Sequence, residues 1–221
     1  MKEGQPLIAR RRRRPSGGRN PRGGDKRERI LDAAVRVFAR NGFYATRVRE
    51  VAKAAGVADG TIYLYFKSKD ALLASLFEHR VERLLAVVSG ALPPAASASD
   101  KLKRIIELQL GLLEGERDLA EVITVIVRQS TKLMKKYAAP KFNAYLDAIA
   151  SVVAEGQASG ELRKDVSPHL AARAIFGALD GIAMTWALGK ADRGGLLWAS
   201  GQLADIVLQG LQPTGRSSNA P

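Results

Sequence analysis

Hydroxyl and cationic side chains crowd one short stretch of this chain: Thr61, Tyr63 and Tyr65, then Lys67 and Lys69, with Arg47 and Arg49 upstream. Hydroxyls of this kind donate to phosphate oxygens, and the cations neutralise phosphate charge. Gly60, lacking a Cβ, lets the backbone approach a duplex closely. This is chemistry for holding a polyanion. Groups for breaking bonds are scarce: the 221 residues contain no cysteine and two histidines, His79 and His169. The missing cysteines exclude disulfides, thiolate metal sites, iron–sulfur clusters and a cysteine nucleophile. Neither histidine stands near a nucleophile or a carboxylate set in sequence, so no triad or metal spacing is legible. The expectation is a binding protein, not an enzyme, with no metal and no cofactor.

The net charge of +13 is unevenly spread. Residues 1–24 carry eight basic and one acidic side chain, residues 25–86 twelve and eight, and residues 87–221 fifteen and thirteen. A basic first third joined to a nearly balanced remainder suggests DNA or RNA held by the N-terminal portion, with anionic lipid as the competing partner. The run Arg10–Arg14 and the Pro/Gly-rich residues after it offer too little apolar surface to order 1–24 as a packed element. An arm lying along phosphates and a solvated leader are both consistent with it. No run approaches 18 apolar residues, and the first residues lack the apolar core of a signal peptide, so a cytoplasmic protein with no membrane partner is expected.

Between Val48 and Phe66 the spacing fits a helix-turn-helix. Crossing two short helices tightly needs a small residue in the first, a glycine at the turn and an aliphatic residue in the second. Ala52, Gly56 and Ile62 fall at the fifth, ninth and fifteenth places counted from Val48. The outer face of the second helix would then offer Thr61, Tyr63 and Tyr65 to a major groove. Thr61–Phe66 is strand-like by propensity, but a lone strand among helices would leave its backbone groups unpaired, which favours a short helix.

The rest of the pattern is helical. A first helix starts at Asp25, with Glu28 completing a capping-box-like pair, and stops at Asn41-Gly42. A second runs from Thr46 or Arg47 to Ala55, and a long helix runs from Ser68 to about Val88. Leu92-Pro93-Pro94 breaks the chain. Further helices are expected at about 100–114, 117–129, 131–156 (kinked at Pro140), 168–187 and 194–211. The domain reading is a basic arm at 1–24, a head at 25–86, a body at 87–212 and a frayed tail at 213–221.

Residues 25–86, above all ERILDAAVRVFARNGFYATRVREVAKAAGVADGTIYLYFKSKDALL, closely resemble the N-terminal domain of the TetR family of bacterial transcriptional repressors. The resemblance implies an all-α homodimer: a three-helix helix-turn-helix head, a fourth helix joining it to a C-terminal body, and two last helices that dimerise. An effector bound in the body would move the joining helix and release a double-stranded DNA operator. The family's DNA-contacting positions match Arg49, Thr61, Tyr63, Tyr65 and Lys69, with Thr46, Arg47 and Gly60 added. Arg47 and Ala58 stand where hydroxyl caps are usual, and Asp59 compensates at Ala58 through the helix dipole.

Residues 127–186 look like the body of the family's fatty-acid-degradation regulators, which implies a long-chain acyl-CoA effector. Such an effector needs an apolar tunnel and cations for the CoA phosphates. Tyr137 and Phe176 belong to the apolar set of the middle helices. Arg128, Gln129 and Asp180 are the polar groups that could orient a guest, and Lys132, Lys135, Lys136 and Lys141 form a basic cluster at the mouth. The alternative is a repressor of a drug-efflux or other catabolic operon answering a different hydrophobic ligand. Small residues Ala171, Ala174, Ala178 and Gly181, with Leu196, Leu203, Val207 and Leu211, read as a homodimer surface on 168–187 and 194–211. Two-fold pairing would set recognition helices about 34–36 Å apart, or a near multiple, on a palindrome.

Overall fold

The computed structural model describes residues 22–91, 93–126, 139–189 and 194–213, all of whose regular elements are helical. The elements are α1 (Arg22–Asn41), α2 (Val48–Ala55), α3 (Asp59–Tyr65), α4 (Lys69–Ala91), α5 (Ala98–Gly111), α6 (Arg117–Glu121), α7 (Ala139–Ser159), α8 (Pro168–Ala187) and α9 (Gly195–Leu211). A π-helical turn, Val122–Ile126, continues α6.

Two apolar cores organise them. In α1 the fully buried Ile30, Ala34 and Phe38 recur at four-residue steps, one stripe of a helix. They meet Val51 and Ala52 of α2, Ile62 of α3 and Leu72 and Leu73 of α4 in the head core. The body core gathers Leu102, Ile105 and Leu110 of α5 with Tyr145 and Ile149 of α7, Leu179 of α8 and Leu203 of α9. The expected boundary at residue 86 falls inside α4, which feeds both cores: Leu76 joins the head, Val81 and Leu84 the body. Val122 and Ile126 of the π-turn also belong to the head core.

Several expected boundaries move. α1 begins at Arg22, so Asp25 lies inside the helix and does not open it, and residues 22–24 are helical. Pro140 is the second described residue of α7, and the expected start of that helix at 131 lies outside the described residues. The segment 127–138, the arm before residue 22, and residues 214–221 lie outside the described residues.

Two helix starts are capped from far along the chain. Ser97 caps α5 through the Asp100 N–H at 3.1 Å, and the Glu161 carboxylate accepts from the Ala98 and Ser99 N–H groups at 2.8 Å each. Glu114 accepts from Leu196 and Leu197 at the start of α9, at 2.9 and 3.1 Å. At the other polarity, Arg117 donates to the Trp186 and Ala187 carbonyls that end α8. α8 is the one helix among the described residues long and apolar enough to cross a membrane. It buries Ala172, Ile175, Leu179 and Ala183 in the body core.

Candidate nucleic-acid interface

The crossing of α2 and α3 is built as the spacing requires. Val51, Ala52 and Ala55 are buried, and Gly56 takes the left-handed conformation, φ 65° and ψ 39°. Its neighbour's N–H closes the end of α2, Val57 N to the Ala52 carbonyl at 3.0 Å. The Arg29 guanidinium also donates to the Ala55 carbonyl at 2.8 Å, tying that end to α1. Ile62, 1% exposed, pins α3 to the head core, and Phe66 seals its C-terminal end under the Arg27 guanidinium, 5.5 Å from the ring centroid.

With Ile62 inward, the remaining side chains of α3 turn out. Tyr63 is 56% exposed and Leu64 82%, and Tyr65 is less open, with Thr61 half-buried. Leu64 is a residue the sequence reading missed. Two residues from the inward Ile62 at about 100° per residue puts it on the opposite side of the helix, so the signal was there. Tyr44, 69% exposed in the turn before α2, was also missed. Gly60 is exposed and a Cβ there would meet nothing within 4 Å, so the fold does not demand glycine; its effect is to keep the outer backbone bare.

Arg47 and Arg49 are exposed. Arg47 is the N-cap of α2. Its backbone N–H donates to the Glu50 carboxylate at 2.7 Å and its carbonyl accepts from the Glu50 N–H at 2.9 Å, so no hydroxyl is needed at this cap. Ala58 caps α3 without a side-chain bond, its carbonyl accepting from Thr61 N–H, and Asp59 occupies the first turn as expected.

Two expected DNA contacts are turned inward. Thr46 is 2% exposed and its Oγ1 donates to the Gly42 carbonyl at 2.7 Å, so the hydroxyl closes the α1–α2 turn. The Lys69 Nζ donates to the carbonyls of Phe43, Tyr44 and Thr46 at 2.7, 3.1 and 2.9 Å, and stands 4.6 Å from the Phe43 ring centroid. An ammonium has three protons, and all three are committed. The exposed cation beside α3 is Lys67.

In the body, a cavity of about 70 Å³ lies under α4, lined by Phe77, Phe142, Tyr145, Phe176 and Asp180 among others. Phe176 and Asp180 therefore face the predicted space, whereas Arg128, Gln129 and Tyr137 lie outside the described residues, with Lys132, Lys135 and Lys136. Phe142 and Phe176 pack edge to face, centroids 4.7 Å apart. The Tyr145 hydroxyl donates to the Gln109 side-chain carbonyl, and burial pushes its phenol well above the usual range. Lys141 is paired with Glu82, so it is not an open cation at a tunnel mouth.

The proposed dimer face needs correction. Ala171, Leu196, Leu203 and Leu211 are buried within the single chain, where α8 and α9 pack on the body core. The apolar side chains these helices leave open are Leu170 on α8 and Leu197, Trp198 and Ile206 on α9, each more than half exposed. Ala174 is exposed and Gly181 half-buried.

Residues 30–76 match the family model described as bacterial regulatory proteins, tetR family, and residues 77–198 match that for the C-terminal region of YsiA-like proteins. The fatty acid metabolism regulator protein of Bacillus subtilis (strain 168) is 34% identical over 182 residues, covering 82% of this chain and 93% of that one. A solved structure of the transcriptional regulator FadR from Bacillus subtilis, in complex with stearoyl-CoA, superposes with a TM-score of 0.77 at 34% identity, covering 84% of this chain and 99% of that one. The fatty acid degradation regulator FadR from Bacillus halodurans gives 0.77 at 32% identity, with the same shares covered.

Proposed function

The chain belongs to the TetR family of bacterial transcriptional regulators, and on that premise we propose that it is a homodimeric repressor of fatty-acid-degradation genes, released from a palindromic operator by a long-chain acyl-CoA. The observation that carries the DNA-binding half is α3 itself: Ile62 holds it down while Tyr63, Leu64 and Tyr65 stand away from the protein. Tyr63 and Thr61 hydroxyls, with Arg47, Arg49 and Lys67, supply phosphate contacts that fix register, and Leu64 supplies an apolar surface for a thymine methyl. A regulator of this kind works in the cytoplasm, where its operator is.

The effector half is supported by the stearoyl-CoA complex of the Bacillus subtilis relative and by the aromatic cavity beneath α4. Pockets for whole ligands run to several hundred Å³, so at about 70 Å³ the cavity seats only the start of a chain and must widen to take the rest. Widening displaces α4, whose Phe77, Val81 and Leu84 form its wall and whose Leu72 and Leu73 anchor the head. Dimerisation through Leu197, Trp198 and Ile206 would cover apolar surface that a monomer leaves in water.

The test is a titration of the full chain on its own upstream DNA at fixed salt, with acyl-CoAs of increasing length. Release by long chains and not by short ones is expected. DNA binding indifferent to every acyl-CoA would remove the effector and leave the regulator.

A further inference from the structure

The densest charge in the sequence stands ahead of the first helix. Lys2, the run Arg10–Arg14 and Arg19 set seven cations against one carboxylate, Glu3. Nowhere in the chain do two acidic residues stand side by side, so the arginine run has no acidic run of its own chain to meet. Its partner is a polyanion from outside. These residues also precede position 30, where the family model begins, so the part shared with the family does not account for them.

The described residues fix where this arm is rooted. It joins α1 at Arg22. Five residues on, at about 1.5 Å of rise each, the Arg27 guanidinium lies 5.5 Å from the ring centroid of Phe66, the C-cap of α3. Arg29 ties the same turn of α1 to the Ala55 carbonyl at the end of α2. α1 therefore opens beside the C-terminal end of α3, the helix assigned above to the major groove, with Lys26 exposed there.

Reach and chemistry both follow. Eight positions separate Arg14 from Arg22, up to about 26 Å of extended chain. A major groove and the next minor groove are half of a 34–36 Å turn apart, about 17 Å. A guanidinium is planar and weakly hydrated, so it sheds water readily on entering a groove about 6 Å wide. Narrow A·T-rich minor grooves concentrate negative potential, and G·C pairs place an amino group in the way. An anionic membrane would supply charge but would not use the position of the root beside α3.

We propose that Arg10–Arg14 enter the minor groove flanking each operator half-site and favour A·T-rich flanks, a second DNA contact besides α3. This rests on the operator reading given above. α3 then reads the palindrome, and the arm reads the width of the groove outside it.

Fluorescence anisotropy of the full-length protein on its upstream operator tests this, with the flanks outside the palindrome made A·T-rich or G·C-rich. Wild type is compared, across a salt series, with a variant carrying Arg10→Gln through Arg14→Gln and one carrying Arg10→Lys through Arg14→Lys. Wild type should prefer A·T-rich flanks about tenfold. The glutamine variant should still bind the palindrome without that preference, its slope of log affinity against log salt smaller by about 0.9 for each arginine withdrawn. The lysine variant should keep the slope and lose most of the preference. Wild-type slope and flank preference in the glutamine variant would overturn the proposal. A smaller slope in that variant with no flank preference in the wild type would also overturn it, as phosphate contact alone. Phosphatidylserine vesicles that bind wild type and not the glutamine variant, with operator binding alike in both, would assign the run to a membrane instead. Failure of the wild type to bind the operator at all would remove the operator reading itself. Thermal melting of each variant checks that the head stays folded.

Discussion

Replacing Lys69 by methionine separates two roles for one cation. The methionine keeps the apolar stem and removes the ammonium, leaving the Phe43, Tyr44 and Thr46 carbonyls without their shared donor. A hydrogen bond to a charged group is worth about 1.5–3 kcal/mol, but the three share one side chain and the Tyr44 carbonyl is open to water. A loss of about 2–4 kcal/mol follows, including a modest cation–π contribution over Phe43. For a chain of this size that is a fall of about 5–15 °C in melting temperature. At a temperature where the variant is folded, its operator affinity should keep the wild-type salt dependence. A phosphate contact would behave in the opposite way. Stability would hold, and the slope of log affinity against log salt would shrink by about 0.9 per lost contact, about 1.8 for a dimer. That pairing of results would refute the reading of Lys69 as the pin of the α1–α2 turn.

Three further outcomes are expected. Tyr63→Phe should weaken operator binding about tenfold with no change in melting temperature, measured by fluorescence anisotropy, because it removes one exposed hydroxyl; wild-type affinity would take Tyr63 off the interface. Gly156→Ala should lower stability in a denaturant melt by about 1–2 kcal/mol despite alanine's better helix propensity, because a Cβ there would lie 2.6 Å from Leu162 and 2.7 Å from Ala98; an unchanged or raised midpoint would mean α5 and the Leu162 turn yield freely. Trp198→Glu with Ile206→Asp should give a folded monomer in sedimentation velocity, and persistence of a dimer would move the interface elsewhere.

What the sequence made legible is what is decided within about ten residues. Ala52 and Ile62 share the head core across the turn that the left-handed Gly56 makes, so spacing alone located the crossing of α2 and α3. Thr46 and Lys69 went the other way for a physical reason. A threonine or lysine beside a DNA-binding helix has the right chemistry for phosphate, and only the folded chain shows Gly42 and the Phe43–Thr46 carbonyls already claiming those donors. The caps supplied by Glu161 and Glu114 come from residues 63 and 82 positions away, beyond any local pattern. In α8 and α9 the apolar period correctly marked a buried stripe. Periodicity does not say whose surface buries it, and Leu196, Leu203 and Leu211 turned out to be covered by the chain itself.

The same two-core arrangement explains how a small body cavity can govern a distant helix. A rigid link would need one element continuous through both cores, and α4 is that element, unbroken from Lys69 to Ala91. A second tie is less visible: the π-turn at Val122–Ile126 sends Val122 and Ile126 into the head core while Ile123 and Thr124 line the cavity. π-turns hold poorer hydrogen-bond geometry than α-helix and commonly sit at functional sites. Here the Thr124 hydroxyl donates back to the Ala120 carbonyl at 2.7 Å, bracing the irregular turn. A guest that pushes on Ile123 and Thr124 therefore pushes on the packing beneath α1 as well. The head is gripped by α4 on one side and the π-turn on another, and because close-packed interiors transmit strain, a shift of either cavity wall would be felt in the head core that also holds Ile62 of α3.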